Sequence, residues 1–244
     1  MIGFTTALLT GLLTALIVVF PASTVVFSMD ANLLVPAYAG ALVALLFYFR
    51  ELLSREPIMV LKGFNSAQLK YVILTTALTL VLGFFPGPSL WKAELVITGV
   101  VVTILPTIAY GFKPLEGLRK TFEEEPTPVD AVSVGIAQAL AILFSLPRGG
   151  MSALALALSG YDAKKILTFS LQAAPAYLVV EIIRAGRCQP KPKWLGPITL
   201  TVSFFMTSLL IWILFKLTER LESRSFLTFY SIVGAILYMM GVLT

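Results

Sequence analysis

An arginine with no acidic neighbour, set between a proline and two glycines inside an apolar stretch, is the residue of this sequence that most needs a chemical explanation. Arg148 follows Ser145-Leu146-Pro147 and precedes Gly149-Gly150, with Ser152 the next polar side chain. A cation at membrane depth costs at least about 2.5 to 3.5 kcal/mol unless it is paired or hydrated. The candidate carboxylates, Asp30, Glu94, Asp162 and Glu181, all fall near the ends of apolar stretches. The expected partner of Arg148 is therefore an anion carried by a ligand. Gly149 and Gly150 would leave backbone N–H groups open at the start of a half-helix running to Ser159, and such a helix start favours phosphate. Ser152 falls in its first turn. A second break, Pro21-Ala22-Ser23-Thr24, supplies two more hydroxyls, so Ser23 and Thr24 could meet the guanidinium and amides of the other break around one phosphate. The plainer alternative is that Arg148 snorkels to the interface and the Ser and Thr residues cap helix ends.

The elements that must position these groups are membrane segments. Of 244 residues, 58% are apolar and 13% charged, against roughly 25% charged in a soluble domain. Nearly charge-free stretches run over Gly3 to Phe27, Leu33 to Phe49, Gln68 to Phe85, Ala93 to Tyr110, Val129 to Ser159, Ala163 to Ile183, Leu195 to Phe215 and Phe226 to Leu243. The first lacks a basic start and is too long for a signal peptide, so it is expected to stay in the protein. Histidine is absent and Cys188 is the only cysteine. That excludes His-based general bases, Ser-His or Cys-His nucleophile pairs and His-ligated metals, and any internal disulfide. Cys188 could pair between chains or stay a free thiol.

The broken stretches around Pro21 and Arg148 suit re-entrant hairpins, and a short repeat links them. Gly11, Ala15, Leu16 and Phe20 align with Gly135, Ala139, Leu140 and Phe144, and Asp30-Ala31 and Asp162-Ala163 follow the two copies. The expected fold is an all-α polytopic membrane protein with six transmembrane helices plus two re-entrant helical hairpins, arranged as an inverted-topology repeat. It forms a single membrane domain over 1–244, with repeat one at 1–111, a cytoplasmic linker at 112–130 and repeat two at 131–244. In that topology Lys92, Arg184, Arg187, Lys191 and Lys193 lie on one side and Arg148 in the second break, leaving twelve of the 18 basic residues on the other side. The positive-inside rule then makes the richer side cytoplasmic and places both termini outside a plasma membrane. The net charge of +5 reflects those loops rather than nucleic-acid binding.

These residues resemble a family. Gly135-Ile136-Ala137-Gln138-Ala139-Leu140-Ala141, then Arg148-Gly149-Gly150, Ser152-Ala153 and Ser170-Leu171, are similar to the second signature region of the undecaprenyl-diphosphate phosphatase (bacitracin-resistance) family. There a G-x-x-Q-x-x-A helix leads into P-G-x-S-R-S-G-x-T. Phe47-Tyr48-Phe49-Arg50, Ile97-Thr98-Gly99 and Phe229-Tyr230 with Gly234 resemble other segments of it, over the whole chain. The resemblance implies that Arg148, Gly150 and Ser152 match the family's arginine, glycine and threonine, and it brings Gln138 into the site. It also implies what is missing. The family's first hairpin carries E-x-x-x-E-F-x-P-V-S-S-T-G-H, and aligned on Pro21 its glutamates fall on Thr14 and Val18 and its histidine on Phe27, while its serine falls on Pro147. This chain reads as a divergent member without the family's catalytic glutamates, histidine and serine. In-line attack on a diphosphate needs a base or a metal held by carboxylates, and Ser23, Thr24 and Ser145 would have neither.

Three functions follow from these residues. The favoured one is non-catalytic binding or flipping of a polyprenyl phosphate or diphosphate at mid-membrane, held by Arg148, Gly149, Gly150, Ser152, Ser23 and Thr24, with Ser145, Gln138 and Thr14 as weaker candidates. The second is an active polyprenyl-diphosphate phosphatase, a hydrolase of acid anhydrides that recycles the lipid carrier. Only there would Mg²⁺ or Ca²⁺ enter; otherwise no metal or cofactor is expected. The third is a ligand-free assembly subunit. The partners in prospect are the lipid phosphate, the bilayer and a second copy of the chain.

Overall fold

In the computed structural model, residues 2–21, 31–61, 66–85, 92–111, 125–186 and 193–243 are described. They form ten α-helices and, among the described residues, no strand: α1 Ile2–Val19, α2 Ala31–Tyr48, α3 Arg50–Leu61, α4 Ala67–Gly83, α5 Lys92–Gly111, α6 Pro128–Leu143, α7 Arg148–Leu158, α8 Ala163–Ala185, α9 Leu195–Arg220 and α10 Ser223–Leu243. Ser23, Thr24, Phe27, Asp30, Cys188 and residues 112–124 of the expected linker lie outside the described residues.

Local chemistry sets the helix ends. Ser66 caps α4 by accepting from Leu69 N at 3.0 Å, and Asp162 caps α8 by accepting from Lys165 N at 2.8 Å. Thr127 and Asp130 form a reciprocal capping box at the start of α6, with Pro128 in its first turn, which satisfies N–H groups that a helix start leaves over. Asp130 also accepts from the buried Tyr161 hydroxyl at 2.6 Å, tying that cap to the α7–α8 connection. At the far end of α8, Arg184 donates to the carbonyls of Gly83 at 2.6 Å, Phe85 at 3.0 Å and Ile142 at 3.3 Å. These are carbonyls at the C-terminal ends of α4 and α6, where a cation also suits the helix dipole.

α8 is the centre of the bundle. It packs against α2, α4, α6, α7, α9 and α10, and its buried residues include Leu167, Phe169, Leu171, Ala173, Ala174, Leu178 and Val180. Around it α1 and α2 lie along α9, α6 lies on α4, and α5 is shared by α7 and α10. Glycine permits the tightest of these approaches. A methyl group at Gly40 would strike the backbone oxygen of Leu200, and one at Gly11 would come 2.9 Å from that of Thr199.

The expected six spans with two re-entrant hairpins, and the inverted repeat built on them, are not what the chain forms. Among the described residues three helices are long and apolar enough to cross a membrane: Glu94–Gly111, Ala163–Ala185 and Leu195–Arg220. Gly3–Val19, Asn32–Tyr48, Ala67–Gly83 and Pro128–Leu143 are shorter apolar helices. The reason is that an apolar run measures composition, whereas caps and breaks measure the helix. The 16 residues of α6 rise about 24 Å at about 1.5 Å each, short of a hydrocarbon core of about 30 Å. α10 opens with Ser223-Arg224-Ser225 and is not among the long apolar helices. The stretch Gly3 to Phe27 yields one helix ending at Val19, and Val129 to Ser159 becomes α6 and α7, packed on α4 and α5.

Candidate functional site

The site is built where α7 begins. After α6 the chain turns through Phe144–Pro147, with Leu146 N donating to Ala141 O at 2.9 Å. Ser145 holds φ at +56°, a left-handed conformation costing roughly 1–2 kcal/mol for a residue with a Cβ. Its place in this sharp turn accounts for Ser145 without assigning it a ligand. Pro147 then precedes the first helical residue with no side-chain cap for the helix start. Gly149 and Gly150 are required by contact: a methyl at Gly149 would lie 3.0 Å from Pro21 Cα and from the Tyr230 hydroxyl, and one at Gly150 would lie 3.0 Å from Val102 O. Pro21, the one described residue of the first break, is thus seated against the start of α7. Pro21 also fills the space beside Gly234, where a methyl would collide with its ring. Ser23 and Thr24, just beyond Pro21, lie outside the described residues.

Arg148 is 2% exposed. Its Nη2 donates to Val18 O at 2.6 Å and its Nη1 to Ser170 O at 2.9 Å, with Cζ 5.8 Å from the centre of the Tyr177 ring. Val18 lies in the last turn of α1, where carbonyls lack helical partners. The neighbouring Val19 O accepts from the Tyr230 hydroxyl at 3.0 Å. The cation therefore has protein partners that the sequence did not reveal, but they are carbonyl dipoles and a ring face; among the described residues no carboxylate offsets its charge. Two of the five guanidinium N–H donors are used in those bonds. The α7 start adds its own positive dipole end, and no acidic residue occupies its first turn. A positive helix start and a guanidinium thus lie together in a buried place, offset by the carbonyl end of α1.

The remaining candidates divide. Ser152 and Gln138 are brought together, Gln138 Nε2 donating to Ser152 Oγ at 3.4 Å. Thr14 is fully buried one turn before Val18 on α1, and Val18 itself contributes its backbone oxygen. These two positions offer a hydroxyl and a valine, not the carboxylates that a divalent cation takes, so the donors present do not fit a metal. Among the described residues no group of three or more acidic, His or Cys side chains gathers to hold one. Ser170 and Tyr230, which the sequence offered only as part of the family resemblance and not as site residues, join the site here. Both line a narrow crevice with Ala153, Leu167 and Phe226 that leaves no room for a water molecule, and the buried Ser170 hydroxyl has no hydrogen-bond partner. Their signal was present, since Ser170 interrupts an apolar helix, but nothing in sequence spacing places α8 and α10 beside Arg148.

Comparison with known proteins bears on this site. The family model described as "Bacitracin resistance protein BacA" matches residues 10–236. The chain is 28% identical over 165 residues to an undecaprenyl-diphosphatase of Haloarcula marismortui, over 60% of this chain and 58% of that protein. The match thus spans less than two thirds of the relative's length.

Proposed function

This chain belongs to the bacitracin resistance protein BacA family, and we propose that it is a membrane-embedded protein that binds a polyprenyl phosphate or diphosphate without hydrolysing it. One observation carries the reading: a buried arginine at a helix start, with carbonyl partners but no counter-charge among the described residues. An anion is the ligand that this arrangement favours, and the apolar helices around it suit a lipid tail. Phosphate would be held by Arg148, the amides of Gly149 and Gly150, and Ser152, with Ser23 and Thr24 entering from the segment after Pro21. The alignment on Pro21, which sets Thr14, Val18 and Phe27 at the resembling family's glutamate and histidine positions, supports binding over chemistry. Flipping drew its support from the inverted repeat, and without it the proposal narrows to binding and presentation of the lipid carrier.

The second reading is an active phosphatase. It is favoured by the printed name of the Haloarcula relative, an undecaprenyl-diphosphatase, and it requires a base or a metal site drawn from other residues.

Retention of lipid phosphate on purified protein tests the proposal. The wild type should retain a polyprenyl phosphate in preference to the corresponding alcohol. Arg148→Ala should lose most of that retention, by about tenfold or more if one charged hydrogen-bonding group is removed. Equal retention by wild type and a folded Arg148→Ala protein, or equal retention of the alcohol, would reject the cradle.

A further inference from the structure

A cleft of about 60 Å³ lies between the end of α2, the start of α3, α4 and the middle of α8. Leu45, Phe49, Leu53, Val72 and Pro175 line it, Thr76 and Gln172 are its polar members, and no charged residue among those described takes part. Gln172 stands two residues after Ser170, whose carbonyl holds Arg148, and so roughly 200° further round the helix. The cleft is therefore separate from the α7 start. Its volume exceeds the roughly 10–15 Å³ that one water needs. Leu46 and Leu53, both in its lining, are 40% and 41% exposed, so it opens on the outer apolar surface of the bundle.

The polar groups of this cleft lack partners. Gln172 is 6% exposed, and its buried Oε1 has no hydrogen-bond partner, which is costly where no water reaches. Three residues on, Pro175 sits inside α8; having no N–H, it leaves the Leu171 carbonyl without its helical donor. A half-turn of the Gln172 carboxamide would exchange its oxygen for its NH₂ group, whereas a backbone carbonyl only accepts. A hydroxyl both donates and accepts, so it answers either arrangement. A charged headgroup would meet no counter-charge in this lining. A water would satisfy the carboxamide but leave the leucine and phenylalanine walls unfilled.

We propose that the cleft binds an uncharged lipid alcohol, its apolar chain entering past Leu46 and Leu53 and its hydroxyl hydrogen-bonded to the Gln172 carboxamide. This site does not depend on the reading of the α7 start. One neutral hydrogen bond is weaker than the charged ones offered by Arg148, so an alcohol held here does not reverse the preference for a lipid phosphate.

Hexadecanol and hexadecane, which differ by one hydroxyl, are the probes, and labelled ligand retained per purified protein is counted. The wild type should retain the alcohol in preference to the alkane. Gln172→Leu keeps the approximate bulk and removes the carboxamide, so it should lower hexadecanol retention about three- to tenfold, the worth of one hydrogen bond, and leave hexadecane retention unchanged. Its unfolding midpoint should hold or rise, because an unmet buried oxygen is gone. Leu53→Trp, which fills the mouth, should lower retention of both probes, and it keeps the test decisive if Gln172→Leu fails to fold. Both variants should retain polyprenyl monophosphate as the wild type does, which separates this site from the one at Arg148. Equal retention of alcohol and alkane by the wild type, or equal hexadecanol retention by wild type and folded Gln172→Leu, would overturn the proposal and leave the cleft to water. Alcohol retention lost in Arg148→Ala but kept in Leu53→Trp would also overturn it, by placing the alcohol at the α7 start.

Discussion

At the scale of single residues, anion binding turns on how a guanidinium is kept in a dry place. Arg148 is held by two carbonyls from different helices, Val18 O on α1 and Ser170 O on α8, so the side chain fastens three helices together as well as presenting charge. Lysine keeps the charge but lacks the planar fork that reaches both oxygens. Arg148→Lys should therefore lower the stability of purified protein by about 2 kcal/mol, the scale of one charged hydrogen bond, seen as a lower midpoint of thermal unfolding in detergent. Ser170 gives the opposite expectation. Its hydroxyl is buried without a partner, which costs roughly 1–3 kcal/mol, so Ser170→Ala should leave the unfolding midpoint unchanged or raise it. Arg148, Gly149 and Gly150 stood out in the sequence because a cation beside paired glycines is rare in an apolar run. The oxygens that hold the cation did not, because every residue has a carbonyl and only the end of α1 and the packing of α8 single out these two.

At the scale of elements, close approach and capping decide which helices touch. α2 meets α9 at Gly40, where an added methyl would strike the backbone oxygen of Leu200, which cannot swing away as a side chain would. Small residues that let backbones approach are a recurrent basis of helix packing in membranes. Gly40→Ala should cost about 1–3 kcal/mol, as overpacking does. Gly3→Ala should cost much less, since its nearest neighbour, at 3.3 Å, is the end of the Leu195 side chain. Thermal unfolding of the two variants side by side checks the order. The same contacts explain part of what the sequence suggested and the structure overturned. Gly11 and Gly135 align in the short repeat, yet each has its own local reason: Gly11 admits α9, and Gly135 admits Leu78 on α4. Matching letters recorded two tight helix contacts, and that is less than a repeated architecture. The capping box Thr127-Pro128-Val129-Asp130 fixes the start of α6; apolar run length, which served to count spans, does not register such caps.

At the scale of the whole molecule, the chain is a helical protein of the BacA family whose long apolar helices are consistent with a multi-pass membrane protein. The helical membrane class was legible because long, nearly charge-free apolar runs suit helices in a bilayer. The number of crossings was not, because short apolar helices packed on one another have the same composition as spans. The expected placement of both termini outside rested on six crossings. Whether the scaffold cleaves the lipid phosphate or only holds it separates a phosphatase from a binding protein. The most direct test incubates purified protein with polyprenyl diphosphate and either Mg²⁺ or Ca²⁺ and measures both lipid retained and phosphate released. The diphosphate should be retained by the wild type and lost by Arg148→Ala, with phosphate release from the wild type no greater than from that variant. Metal-dependent phosphate release by the wild type, abolished by Arg148→Ala, would contradict it and make the protein a phosphatase.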